Sequence, residues 1–123
     1  MPVTYEIKEG IIALRMIGSY TTAELRDVFL DAVGEADPAQ TIGMTFDVSD
    51  SASLSARSAE DVAAMGYFIA SHGDRFHRRI ALIGSEDFNY GMMRLGSVTL
   101  DQQRVTNRVF RTEKEGVEWL HQQ

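Results

Sequence analysis

The chain of 123 residues contains no cysteine. That absence removes disulfides, thiolate nucleophiles and sulfur-ligated zinc or iron together. Lysine is almost missing too, with Lys8 and Lys114 alone. A phosphoryl-transfer site of the receiver or phosphatase kind needs a carboxylate cluster with a well-placed lysine. Asp47, Asp50, Glu86 and Asp87 supply the acids, but neither lysine falls near them in sequence, so no metal and no cofactor is expected. Long apolar runs are absent as well: none exceeds four residues, as in Ile11 to Leu14, against the ~20 residues a membrane-spanning helix requires. Met1 to Gly10 carries neither a basic start nor a long apolar stretch, and a cytoplasmic location is the expectation. No GxGxxG, Walker or GxSxG pattern occurs. The three histidines, His72, His77 and His121, stand at helix ends or turns, none beside a serine with an elbow signature. The reading is of a protein without a catalytic centre.

What is present describes an ordinary globular domain, with 44% apolar and 24% charged residues. The net charge of −6 opposes nucleic acid or an anionic membrane as the main partner, because both are held by Lys and Arg. No repeat, linker or composition break interrupts the chain, so residues 1–123 read as one domain.

Hydrophobic periodicity then gives the elements. Val3 to Lys8 alternates as a half-buried strand, Glu9-Gly10 makes a turn, and Ile11 to Ile17 is a deeper second strand forming a hairpin with the first. Thr21 and Glu24 have capping-box spacing, followed by an apolar stripe of Leu25, Val28, Phe29, Ala32 and Val33. Thr41 to Val48 is a strand with Ile42, Met44, Phe46 and Val48 on one face, and Ser49 to Arg57 a long serine-rich loop. Ser58 caps a second helix with Val62, Met65, Gly66 and Ile69 inward. Arg79 to Gly84 is a central strand, and Asp87 to about Leu100 a helix burying Phe88, Met92, Leu95 and Thr99. Arg104 to Arg111 is a last strand. Thr112 and Glu115 form another capping box, opening a closing helix with Val117, Trp119 and Leu120. The order ββαβαβαβα predicts an α/β fold with a mixed sheet, antiparallel in its N-terminal hairpin and parallel elsewhere.

Local pieces of the second half carry a family resemblance. Arg75-Phe76 leads to Arg79-Ile80-Ala81-Leu82-Ile83-Gly84; Phe88 starts a helix; Arg108-Val109-Phe110 and Gly116-Val117-Glu118-Trp119-Leu120 follow. In this order, over nearly the whole chain, the sequence resembles the STAS domain, and more closely the SpoIIAA-like group of small stand-alone bacterial proteins, related to CRAL-TRIO-like lipid carriers. The resemblance implies a non-enzymatic regulatory or protein-interaction module, in some members an anti-sigma-factor antagonist. It also implies a phosphorylated Ser or Thr where the third strand meets the second helix, usually within Asp-Ser-Ser-Gly. Here Phe46-Asp47-Val48-Ser49-Asp50 lacks the glycine, and five serines spread over Ser49 to Ser58 without marking one of them.

Two candidate surfaces follow. Loops at the carboxyl ends of parallel strands share an edge where ligands bind, and helix N-termini there favour anions. Asp47, Ser49, Ser53, Ser55, Arg57, Ser58, Ser85 and Glu86 are therefore the candidate residues for a protein partner or small ligand. The plain alternative is a solvated loop in which Ser58 and Asp87 cap helices. The second surface is the basic run around Arg75, Arg78 and Arg79, which suits an anionic headgroup at the mouth of an apolar-ligand or lipid carrier. Its alternative is a helix end whose cations complement the dipole. Tyr67, Phe68, Phe88, Tyr90, Met92 and Met93, at helical spacing, read first as core; the alternative is that their excess width lines a lipid-sized pocket or a homodimer face.

Overall fold

The computed structural model describes residues 2–122. Five strands, β1 (Val3–Lys8), β2 (Ile11–Gly18), β3 (Gly43–Ser51), β4 (Arg79–Ile83) and β5 (Thr106–Phe110), alternate with four helices, α1 (Thr22–Glu35), α2 (Ala59–Ser71), α3 (Asp87–Gln102) and α4 (Glu113–His121). The sheet order is β1-β2-β3-β4-β5. β1 and β2 are antiparallel, and every later neighbour is parallel. The α/β class, the mixed sheet and the ββαβαβαβα order are those read from the sequence.

The hairpin turn follows from its two residues. Lys8 pairs with Ile11, so Glu9-Gly10 is a two-residue loop, and both residues have positive φ, 53° and 80°. That is the primed geometry whose twist matches the flanking strands.

Strand order dictates the layering. When neighbouring parallel strands follow in chain order, right-handed crossovers put every linking helix on the same face. Leu25 and Phe29 of α1, Ile69 of α2, and Met93 and Leu100 of α3 accordingly pack in one cluster with Ile12, Leu14, Met44, Phe46, Ile80 and Leu82. Only α4, which follows the last strand, lies on the opposite face, where Leu120 packs with Ile11 and Ala81. Close approach there depends on Gly43: a Cβ at that position would stand 2.5 Å from Leu120 Cδ2.

Three expectations are corrected. β3 begins at Gly43 and runs to Ser51, so Ser49 and Ser51 belong to a strand and the loop is shorter. Ile42 precedes the strand; its N–H donates to Gly10 O at 2.7 Å and its side chain packs on the α4 side, away from Met44. In α3 the inward stripe is Asn89, Met93 and Leu100, with Thr99. Phe88 and Leu95 instead face solvent, 54% and 41% exposed. The stripe is displaced by about one residue because Asn89 is drawn in to donate to Val48 O at 2.8 Å. β5 is also shorter than read, starting at Thr106, since Arg104 turns the chain at φ 62°.

Thr45 Oγ1 is the buried side-chain atom that lacks a hydrogen-bond partner among the described residues. Thr45→Val removes that orphan hydroxyl at nearly constant shape and is expected to stabilise the fold by about 1 kcal/mol. Phe46→Ala deletes a ring only 4% exposed and is expected to cost about 3–5 kcal/mol. Urea denaturation of both variants checks the pair; a neutral Phe46→Ala contradicts the placement of β3.

Candidate functional site

Because β2 to β5 run parallel, their carboxyl ends lie along one edge, and each leads into a helix N-terminus. Three of those ends are closed by local hydroxyls. Thr21 Oγ1 accepts from Glu24 N while Glu24 accepts from Thr21 N, and Ser58 and Asp61 do the same. Thr112 Oγ1 accepts from Glu115 N, but here the carboxylate takes the Thr112 hydroxyl rather than its backbone N–H, so the box is incomplete. These caps hold Asp61 below the usual carboxylate range, chiefly through the Ser58 backbone hydrogen bond and then the Ser58 side chain. The fourth end, at α3, differs: its cap residue Glu86 makes no side-chain cap bond. Asp87, expected to cap this helix, pairs with Arg111 at 2.8 Å. The Arg111 guanidinium lies 4.0 Å from the centre of the Tyr90 ring.

The two loops singled out from sequence do meet on this edge. Ser85 N–H donates to Ser49 Oγ at 3.2 Å. Asn89 Nδ2, buried, ties the start of α3 to the end of β3 through Val48 O. Asp47 Oδ1 accepts from Ser49 N at 2.9 Å, and its other oxygen faces Arg15 Nε at 4.0 Å. Arg15 in turn pairs with Glu113 at 2.9 Å.

The remaining serines are not equivalent. Ser53 is nearly buried, accepts from Tyr20 N at 2.9 Å and holds the β3–α2 connection against the β2–α1 corner. Ser51 Oγ donates to Tyr20 Oη at 3.0 Å. Arg57 crosses the same gap: it donates to Thr22 Oγ1 and to Tyr20 O, with its guanidinium 5.2 Å from the Tyr20 ring centre. Ser55, in the 3₁₀ turn Leu54–Ala56, is exposed, as are Ser58, Ser85 and Glu86. Sequence reasoning missed Tyr20, Thr22 and Asn89. A buried tyrosine just past a strand and an asparagine within a helical stripe are the signals that were there to find.

The arginine run lies elsewhere. It leads into β4, whose first residue is Arg79, at the amino edge of the sheet, where helices of parallel β/α units end. Arg75 Nε and Nη2 donate to Val33 O at 3.1 and 2.7 Å, at the end of α1. Arg78 Nε donates to Arg104 O at 3.2 Å, and its Nη2 to Gln103 O, after α3. Arg79 reaches Trp119 O, Leu120 O and Gln122 O at the end of α4, and stacks 5.1 Å from the Trp119 ring centre. Neither α1 nor α3 has a basic residue in its own last turn. One short segment thus supplies cations to the carbonyl ends of three other helices, which satisfies their orphan acceptors and complements their dipoles. These guanidiniums do not surround the mouth of a ligand cavity.

Two cavities lie apart from this run. The larger, about 340 Å³, flanks β1 and β2 on the α4 side and has a polar lining that includes Glu6, Lys8, Arg15 and Glu113; the apolar one is smaller. Between α2, α3 and β3 a space of about 70 Å³ is lined by Phe46, Leu54, Met65, Ile69, Met93 and Leu100, with Thr22, Arg57 and Asp61 also bordering it. It falls well below the ~300 Å³ at which drug-sized ligand pockets begin. Among the described residues no group of three or more His, Asp or Glu side chains is placed to hold a metal ion. No helix of the described residues is long and apolar enough to cross a membrane.

Arg75→Ala strands Val33 O and is expected to lose about 1–3 kcal/mol of stability, with sedimentation on anionic phospholipid vesicles unchanged. Denaturation and vesicle co-sedimentation check this. A variant of unaltered stability that binds vesicles less would return the run to the role of a headgroup site. No protein-family model, characterised protein or solved structure matches the chain.

Proposed function

We propose that the protein is a non-catalytic interaction module of STAS type, similar in role to an anti-sigma-factor antagonist. Its working surface is the carboxyl edge formed by the Ser49–Ser58 and Gly84–Asp87 segments. The observation that supports this is the Ser85 N–Ser49 Oγ hydrogen bond, which joins the end of β3 to the loop that follows β4. Exposed Ser55, Ser58, Ser85 and Glu86 give that surface a polar rim. Phe88, 54% exposed one residue into α3, stands beside it as an apolar anchor. A buried aromatic within a polar surround is the pattern of interface hot spots.

Among the serines, Ser55 is the one that suits a charge switch. Ser53 is occupied with Tyr20 N, and a carboxylate there would face Gly18 O, which the hydroxyl approaches at 3.4 Å. Ser58 is committed to its cap, although Asp serves that position as well as Ser.

A lipid or apolar-anion carrier remains the second reading, supported by the apolar lining of the cavity. The volume there accommodates a few atoms rather than an acyl chain, about half the ~150 Å³ that holds benzene in an engineered cavity.

Photocrosslinking tests the interaction reading. A benzoylphenylalanine at position 88 is expected to trap a discrete protein in native extract, while the same group at Glu118, on α4, traps none. Ser55→Asp should weaken that crosslink several-fold, as a charge set in an interface does, without altering thermal unfolding. Equal capture from both positions, or none, contradicts the proposed surface.

A further inference from the structure

β1 ends the sheet, with β2 on one side and, among the described residues, no strand on the other. Its pairing decides which backbone groups face outward. Ile17 N–H donates to Pro2 O at 2.7 Å, so position 2 turns towards β2. In an antiparallel ladder this alternates, so Thr4, Glu6 and Lys8, opposite Arg15, Ala13 and Ile11, do likewise. Val3, Tyr5 and Ile7 direct both N–H and C=O away from β2, but Val3 is buried, at 3% exposure, so Tyr5 and Ile7 are the residues that present backbone on the open side. An edge of this kind is a template for another strand unless something covers or repels it. Thr4, Glu6, Ile7 and Lys8 are all exposed, so the far part of the edge is uncovered.

The surrounding charge is acidic. Tyr5 Oη donates to Glu35 Oε1 of α1 at 2.9 Å. The Tyr5 phenol is held above its ordinary range by that hydrogen bond first, then by loss of solvent and the charges of Glu35 and Asp31. Both carboxylates therefore stand over the middle of β1, on the face occupied by α1. On the opposite face Glu6 lies on the strand next to Lys8, with Glu9 beyond them in the turn.

This charge chooses the occupant. A second copy pairing antiparallel through β1 would bring its own Asp31 and Glu35 against these, and like charges set opposite each other destabilise strand pairing. A basic strand meets attraction in the same place. We propose that the open side of β1 accepts an extended, Lys- or Arg-bearing segment of another protein by strand addition. Its main chain pairs with Tyr5 and Ile7, and its cations lie against Asp31 and Glu35. Main-chain pairing supplies affinity and the alternate side chains supply selection, as in strand-addition modules generally. The strand lies at the margin of the sheet and uses neither Ser49 nor Ser85, so this surface and the carboxyl edge stand or fall separately.

The test is residue-resolved amide exchange with a capped peptide alternating lysine and threonine, against the same peptide carrying glutamate for lysine. The lysine peptide should slow exchange at Tyr5 and Ile7 and leave the inward amides of Thr4 and Glu6 unchanged. Raised salt should reduce the effect. Asp31→Lys with Glu35→Lys should weaken binding roughly tenfold, the summed effect of two exposed pairs turned repulsive. Ile7→Pro deletes an outward N–H at a position where an edge strand tolerates proline; it should abolish the effect while unfolding stays cooperative. Asp31→Lys with Glu35→Lys serves on its own should Ile7→Pro unfold. Equal protection by the glutamate peptide, protection spread over inward amides, or protection of Tyr5 and Ile7 in the protein alone through self-association would each overturn the proposal.

Discussion

The parallel, in-order pairing of β2 to β5 is the constraint from which the rest follows. It sends four strand ends to one edge and four helix starts with them. It puts α1, α2 and α3 on a single face and leaves α4 by itself on the other. It also divides the polar chemistry: hydroxyl caps and serines gather at the carboxyl edge, and the arginines that close helix ends gather at the amino edge. A helix start attracts negative groups and a helix end positive ones, so the two edges have opposite electrostatic characters before any ligand is considered.

Within that frame the serine-rich segment has two jobs that the sequence does not separate. Ser53, Ser51 and Arg57 bind it to the β2–α1 corner around Tyr20. Ser49 binds the strand end to Ser85. Those side chains are spent on holding the surface in shape. Ser55 and the ring of Phe88 are left facing outward. The candidate residues named from composition thus divide into supports and contacts, and only the hydrogen bonds tell which is which.

The fold was largely legible from the sequence because its signals are local. Alternation in Val3–Lys8, the Thr21–Glu24 and Ser58–Asp61 caps, and the two-residue Glu9-Gly10 turn each depend on near neighbours. The misses depend on distant partners. α3 is rotated from its apolar period because Asn89 reaches a carbonyl 41 positions earlier in the chain. β3 outlasts its hydrophobic run because Ile17 and Gly18 pair with Asp50 and Ser51 after the register shift beyond Arg15. The basic run is invisible as a capping device since its carbonyl partners lie 25 to 43 positions away.

The carboxyl edge is one surface through the contact of the β3 end with the loop after β4, and nuclear Overhauser spectroscopy reads that contact directly. The amide proton of Ser85 should show a cross-peak to the β-protons of Ser49. A Ser85 amide with no contact to Ser49, or contacts instead to residues of the amino edge such as Pro38 or Ile42, would contradict it.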